Sequence, residues 1–232
     1  MRVMTVLAAL AIMAVGCART DSEHTTSDST RSTMPGGAAM EHGDTAAMAG
    51  GMKMSGNMES DMAMMNDMMA RELQPADALY DHRFIDMMIP HHEGAIMMAR
   101  DARQNSNRPE LKALAESIIT GQQKEIDQMK QWRAAWYGAT ASNGMAKPEV
   151  MMNHMSMMND MMVKKLGQKD ADYEKRFIDM MIPHHEGAVG MAEDARGKAA
   201  HPEIKELAQS IIDAQKQEIA QMERWRKDWY GH

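Results

Sequence analysis

An internal duplication constrains the fold of this chain more than any other feature of its sequence. The twelve residues Phe84–Ala95, FIDMMIPHHEGA, recur without a change as Phe177–Ala188, 93 positions later. The same offset relates Pro109 to Pro202 and continues to the tryptophans that follow, with no gap in between. A repeat of this length predicts two copies of one structural unit that pack against each other.

The spacing of apolar residues predicts that both copies are entirely helical. Each copy is expected to contain one short helix followed by two long ones, and the last helix of each copy opens with a proline, which suits the first helical position. The predicted helices cover residues 61–72, 77–104 and 109–137 in the first copy, and 148–166, 170–198 and 202–230 in the second.

One helical hairpin alone cannot bury the apolar face that its helices carry. From Leu111 to Trp136, apolar residues recur at spacings of three and four, which is typical of a helix with one buried face. Pairing the copies about a pseudo-twofold axis would bury all four such faces. We therefore predict one domain, residues 61–232, in which two duplicated hairpins (61–138 and 148–231) form a four-helix bundle, with the short Met-rich helices lying across it or capping one end.

The beginning of the chain predicts export. Residues 1–17 combine a basic residue with an apolar run that is too short to span a membrane, as in a secretory signal peptide. The end of this run, Ala14–Cys17, resembles the bacterial lipobox, which implies lipidation of Cys17 and attachment at the periplasmic face of the cell envelope. An ordinary signal with an incidental cysteine is the alternative. Residues 18–60 have the composition of a disordered tether that contains Met and His, either as a metal-collecting segment or as a spacer.

The composition of the chain limits the partners and the kinds of metal site that it can have. The net charge of -7, with acidic and basic residues interspersed, excludes a nucleic-acid partner, because no basic stripe is present. Cys17 is the only cysteine, so the mature chain has neither an internal disulfide nor a cysteine-based metal site. Methionine occurs 31 times, and its thioether is a soft donor that favours Cu(I) and Ag(I).

The repeated motif places methionine and histidine one helical turn apart. Residues four apart lie on the same face of a helix, so Met87 is expected beside His91, and Met88 beside His92. Since neighbouring residues diverge by about 100°, at least one Met/His pair of each copy should face the bundle interior. The predicted metal ligands are His91, His92, His184, His185, Met87, Met88, Met180, Met181, Met98 and Met191.

The sequence contains further candidate residues for the metal site. A methionine stripe at helical spacing also occurs as plain core packing, but two copies of Met-Met, Pro and His-His favour metal binding. Auxiliary metal donors are predicted on the short helices: Met65, Met69, Met158, Met162 and His154. Polar residues that could orient the imidazoles are Asp86, Glu93, Gln122, Glu125, Asp179, Glu186, Gln215 and Glu218.

The FIDMMIPHHEGA motif, followed by Gln122, Glu125, Met129 and Trp132 in the next helix, resembles the bacterial family known as domain of unknown function number 305. The resemblance covers about residues 61–230, and both copies of the motif belong to it. It implies a ferritin-like four-helix bundle, export from the cell, and an association with copper binding and with resistance to copper or silver.

Together these observations predict an exported protein that binds Cu(I) or Ag(I), buffers or carries the metal in the cell envelope without catalysis, and contributes to metal resistance. The protein that donates or receives copper is not specified by the sequence. One alternative is a ferritin-like di-metal oxidase, although such sites use a Glu-x-x-His motif that the sequence lacks, since Glu93 adjoins His92. Another is a Met-rich structural or interaction module.

Overall fold

The computed structural model describes residues 57–138, 142–145 and 147–231, and all regular secondary structure within these ranges is helical. The helices are α1 (Met58–Leu73), α2 (Tyr80–Asn105), α3 (Pro109–Trp136), α4 (Pro148–Leu166), α5 (Tyr173–Lys198) and α6 (Pro202–Tyr230). This confirms the predicted all-α fold with two short and four long helices. The predicted signal peptide, Cys17 and nearly all of the predicted tether lie outside the described residues.

The helix ends follow local chemistry. The α1 helix begins at Met58 instead of residue 61, because the side chain of Asn57 accepts hydrogen bonds from the backbone N–H groups of Glu59 and Ser60. Proline occupies the start of α3, α4 and α6, where its missing N–H leaves no helical bond unmade. The α6 helix ends at Tyr230 and is capped by Gly231, which adopts the left-handed conformation at φ 81°.

The two copies form one helical bundle. Within each copy the long helices pair as hairpins, α2 with α3 and α5 with α6, and α2 also packs against α5 of the other copy. The short helices are exchanged between the copies, since α1 packs mainly on α5 and α4 mainly on α2. Buried apolar side chains from all six helices join in one hydrophobic cluster. This exchange places two Met-rich helices directly over the repeated motif.

Two tyrosine hydroxyls also join the copies. Tyr80 of α2 donates to Asp194 of α5 at 2.8 Å, and Tyr173 of α5 donates to Asp101 of α2. Burial, together with the adjacent carboxylate, raises the pKa of both phenols, so that the hydroxyls remain protonated donors. These two equivalent bonds fix α2 and α5 side by side. Among the residues that the structure describes, no helix is both long and apolar enough to cross a membrane.

Candidate metal centre

A small cavity of about 30 Å³ lies where α1 and α4 cover α2 and α5. Its lining combines soft and neutral groups and contains no carboxylate. The lining residues are Met62, Met65, Asn66 and Met69 of α1, His91 of α2, Met155, Met158, Asn159 and Met162 of α4, and His184 of α5. Every residue of the first copy has its counterpart 93 positions later, so both copies contribute equally to one cavity.

Two imidazoles meet at this cavity. The rings of His91 and His184 are each 5% exposed, and their centroids lie 4.0 Å apart with an angle of 43° between the planes. The Nδ1 atom of each ring is buried without a hydrogen-bond partner. Burial, reinforced by the neighbouring histidines, lowers the pKa of both rings well below the ordinary 6.5. Both rings are therefore neutral at neutral pH, which is the state that binds a metal ion.

The second histidine of each pair faces a different part of the bundle. His92 is completely buried and hydrogen-bonds through Nε2 to the carboxylate of Glu125 on α3 at 2.8 Å. His185 makes the equivalent contact with Glu218 on α6, also at 2.8 Å. Because consecutive helical residues diverge by about 100°, one histidine of each pair reaches the cavity while its neighbour contacts the adjacent long helix.

The predicted methionine ligands within α2 and α5 are not brought to the cavity. Each is at most 6% exposed and packs in the hydrophobic core: Met87, Met88, Met98, Met180, Met181 and Met191. The thioethers at the cavity come instead from the exchanged short helices, because these helices cover His91 and His184. Four of the predicted auxiliary donors do line the cavity, namely Met65, Met69, Met158 and Met162. His154 is half-buried on α4 and does not line it.

The polar residues predicted to orient the imidazoles divide into two groups. Besides Glu125 and Glu218, the buried amides of Gln122 and Gln215 line a crevice between α3 and α6, where the Oε1 atom of each has no hydrogen-bond partner. Within this first group, Glu125 and Glu218 contact the histidines that face away from the cavity.

The second group lies apart from the cavity and pairs mostly with cations. Asp86 bonds to Arg133 at 2.5 Å, and its Oδ2 also lies 3.3 Å from Nε2 of His82, which is not a cavity histidine. Asp179 bonds to Lys175 at 2.5 Å. Glu93 and Glu186 are exposed, and Glu93 contacts Lys130. The polar contacts of Asp86, Asp179 and Glu93 are therefore with residues other than the histidine pairs.

Two residues of the cavity, Asn66 and Asn159, were not predicted, whereas Met62 and Met155 belong to the predicted methionine spacing of the short helices, three residues before Met65 and Met158. The 93-residue offset relates Asn66 to Asn159, but it does not by itself indicate that either residue lies beside a cavity. Over residues 57–138, 142–145 and 147–231, no three side chains of His, Cys, Asp or Glu are grouped so that they could hold a metal ion. Besides its two imidazoles and two asparagine amides, the cavity is lined by thioethers.

The His/Glu contacts are expected to stabilise the bundle. Replacing Glu125 and Glu218 together by Leu leaves the buried Nε2 atoms of His92 and His185 without partners, and each loss should destabilise the apoprotein by about 1–3 kcal/mol. Urea denaturation followed by circular dichroism measures this change. The matched control replaces the exposed pair Glu93 and Glu186 by Leu and should alter stability by no more than about 0.5 kcal/mol. Equal effects of the two pairs would contradict the assignment.

The family model described as domain of unknown function (DUF305) matches residues 16–133 and again residues 81–226. The chain belongs to the DUF305 family. This confirms the resemblance inferred from the repeated motif: the first match contains the first copy of the motif, and the second match contains both copies. None of the curated proteins matches the chain.

Solved structures of DUF305-like proteins share this fold. CopM in its Cu(I)-bound form is 37% identical, with 65% of this chain and 98% of that chain covered and a TM-score of 0.53. CopM in a silver-bound form obtained by soaking is 36% identical over the same shares, also with a TM-score of 0.53. A DUF305 fragment from Deinococcus radiodurans is 27% identical over 64% of this chain and 95% of that chain, with a TM-score of 0.52.

Proposed function

We propose that this DUF305 protein binds Cu(I) in the cavity between its two copies, accepts Ag(I) at the same place, and buffers or carries the metal in the cell envelope without catalytic turnover. Such binding would contribute to metal resistance by keeping the free ion scarce. The observation that carries the proposal is one cavity lined by six thioethers and two neutral imidazoles. The likeness to CopM, whose structures include Cu(I)-bound and silver-bound forms, supports it.

The donor set suits a soft monovalent ion. Thioether sulfur and neutral imidazole nitrogen bind Cu(I) and Ag(I), whereas hard divalent ions prefer carboxylate and water oxygens. No carboxylate lines the cavity, so nothing there would offset the charge of a divalent ion. Because the desolvation cost of an ion rises steeply with its charge, a monovalent ion is favoured. His91 and His184 would hold the ion together with thioethers of α1 and α4, and these helices would exclude water from it.

We also propose that the protein is exported and held at the envelope by a lipid on Cys17. The apolar run and lipobox-like residues within 1–17 support this, and so does a tether composition in the residues that follow. A tether of this kind would allow the bundle to take up metal near the membrane surface.

Replacing one equivalent pair of cavity thioethers tests the proposed function. Met65 and Met158 line the cavity, and their replacement by Leu keeps the side-chain volume but removes two sulfur atoms. We expect affinity for Cu(I) to fall about tenfold, the effect of losing roughly 1.4 kcal/mol of binding free energy. Anaerobic competition against a chromogenic Cu(I) chelator measures the affinity and the number of ions bound.

The control for this experiment lies one residue away on the same helices. Met64 and Met157 are also related by the repeat, but they are 37% and 49% exposed. Their replacement by Leu should leave the affinity unchanged. The proposal would be overturned by a wild-type protein that takes up no Cu(I), or by equal losses in the two paired variants.

A further inference from the structure

One asparagine on each short helix joins that helix to the opposite copy next to the metal cavity. Asn159 of α4 donates through Nδ2 to the carbonyl of Pro90 on α2 at 3.0 Å. Asn66 of α1 donates in the same way to the carbonyl of Pro183 on α5 at 3.2 Å. Each proline immediately precedes the histidine that lines the cavity. The two bonds therefore anchor the thioether-bearing helices at the imidazole-bearing turns.

Two glycines make this approach possible. A Cβ atom on Gly94 would lie 2.2 Å from Oδ1 of Asn159, and one on Gly187 would lie 2.3 Å from Oδ1 of Asn66. Both distances are far below van der Waals contact, so no other residue fits at these positions without moving the asparagine. Each amide is thus engaged twice on the opposite long helix, with its nitrogen on the proline carbonyl and its oxygen against the glycine. This double engagement indicates a positioning role, not metal ligation.

The position of each asparagine within its helix links it to the thioethers. Residues one turn apart share a face, and Asn66 lies four residues after Met62 and three before Met69. Asn159 has the same relation to Met155 and Met162. Anchoring the asparagine therefore fixes the position of the short helix along its axis and its rotation about that axis. The methionines that cover the cavity are placed as a result.

We propose that Asn66 and Asn159 are positioning residues of the metal cavity, each holding the thioethers of one copy over the imidazole of the other. Gly94 and Gly187, which lack a Cβ atom, leave the space that the two asparagine side chains occupy. Metal affinity then depends on two contacts between the copies as well as on the donors themselves. This inference rests on the proposed function, since it concerns the same cavity.

The decisive variant carries Gly94→Ala and Gly187→Ala, which adds two methyl groups where the asparagines lie. We expect affinity for Ag(I), measured by competition, to fall at least about tenfold, because each lost contact is comparable to one buried hydrogen bond. X-ray absorption of the silver-loaded variant should show fewer sulfur neighbours than the wild type, while helix content stays unchanged. A purely structural role would lower the melting temperature of the apoprotein without changing the ligands of bound silver.

A glycine one turn further along α5 supplies the control. A Cβ atom on Gly190 meets nothing within 4 Å, so Gly190→Ala gives the gain in helix propensity of one Gly→Ala change without a collision. Its silver affinity should equal that of the wild type. If the double alanine variant does not fold, Asn66→Leu with Asn159→Leu removes both amides at similar volume and should also weaken binding about tenfold.

The outcomes separate the two proposals. A wild-type protein that takes up no silver overturns the proposed function. A wild type that binds silver, together with asparagine or glycine variants that match Gly190→Ala in affinity and sulfur ligation, overturns the positioning role alone. Adding Asn159→Ala to Gly94→Ala should restore apoprotein stability, because the methyl then occupies vacated space, but it should leave the affinity weak. Restored affinity in that variant would also overturn the role.

Discussion

Replacing both His91 and His184 by Leu is expected to weaken Cu(I) and Ag(I) binding by at least about a hundredfold, which is roughly 2.7 kcal/mol of binding free energy. These rings supply the imidazole nitrogens among the residues that line the cavity. The same change should leave the apoprotein as stable as before or more stable, because each ring now buries a nitrogen without a partner, at a cost of about 1–3 kcal/mol. Opposite effects on binding and on stability would distinguish a functional site from core packing.

Two measurements check this prediction. Chelator competition gives the affinity, and thermal denaturation with and without Ag(I) gives the stabilisation by bound metal, which should disappear in the variant. His154→Leu is the control, since this residue lies on α4 but does not line the cavity. Retained affinity in the double variant would show that the metal binds elsewhere, for example at the methionines of α2 and α5 that were predicted as ligands.

The second large effect is a loss of apoprotein stability in acid. Burial lowers the pKa of His91 and His184 in the folded state well below the value of about 6.5 expected in the unfolded chain. The unfolded chain therefore binds more protons below that pH, so the stability is complete above about pH 6.5 and is lost as the pH falls. One pH unit below 6.5, each histidine should cost about 1.4 kcal/mol, or about 3 kcal/mol for the pair.

Urea denaturation of the apoprotein at pH 7.5 and 5.5 measures this loss. The variant with Leu at positions 91 and 184 serves as the reference, because the carboxylates and His82, whose pKa is also lowered by burial, titrate in both proteins. The difference between the two pH dependences isolates the cavity histidines. Identical pH dependences in the wild type and the variant would show that the two rings are not held neutral by burial.

The helices themselves could be predicted from the residues because their signals are local. A proline at the first position marks the starts of α3, α4 and α6, and the apolar spacing marks their buried faces. The duplication then implied a bundle built from two equivalent hairpins. The predicted ends of the helices differ from the observed ones by a few residues, as at α1, whose start is decided by the side chain of Asn57.

The methionines of the metal centre show where local spacing stops being informative. Met87 stands one turn from His91 along α2, yet it packs in the core, whereas Met65 and Met158 reach the cavity from separate helices. Spacing along one helix reports only the neighbours on that helix. The exchange of α1 and α4 between the copies is a matter of packing, and no local pattern records it.

The sequence by itself determined the helical repeat, the membership of a known family, and a supply of soft neutral donors, because these depend on residue type and spacing alone. Only the tertiary structure decided that His91 and not His92 faces the cavity, since helical geometry separates the two rings without saying which one points inward. It also paired Asn159 with Gly94 and Asn66 with Gly187 across the copies. Such contacts arise when separate helices pack, and they are set by the shape of both surfaces together.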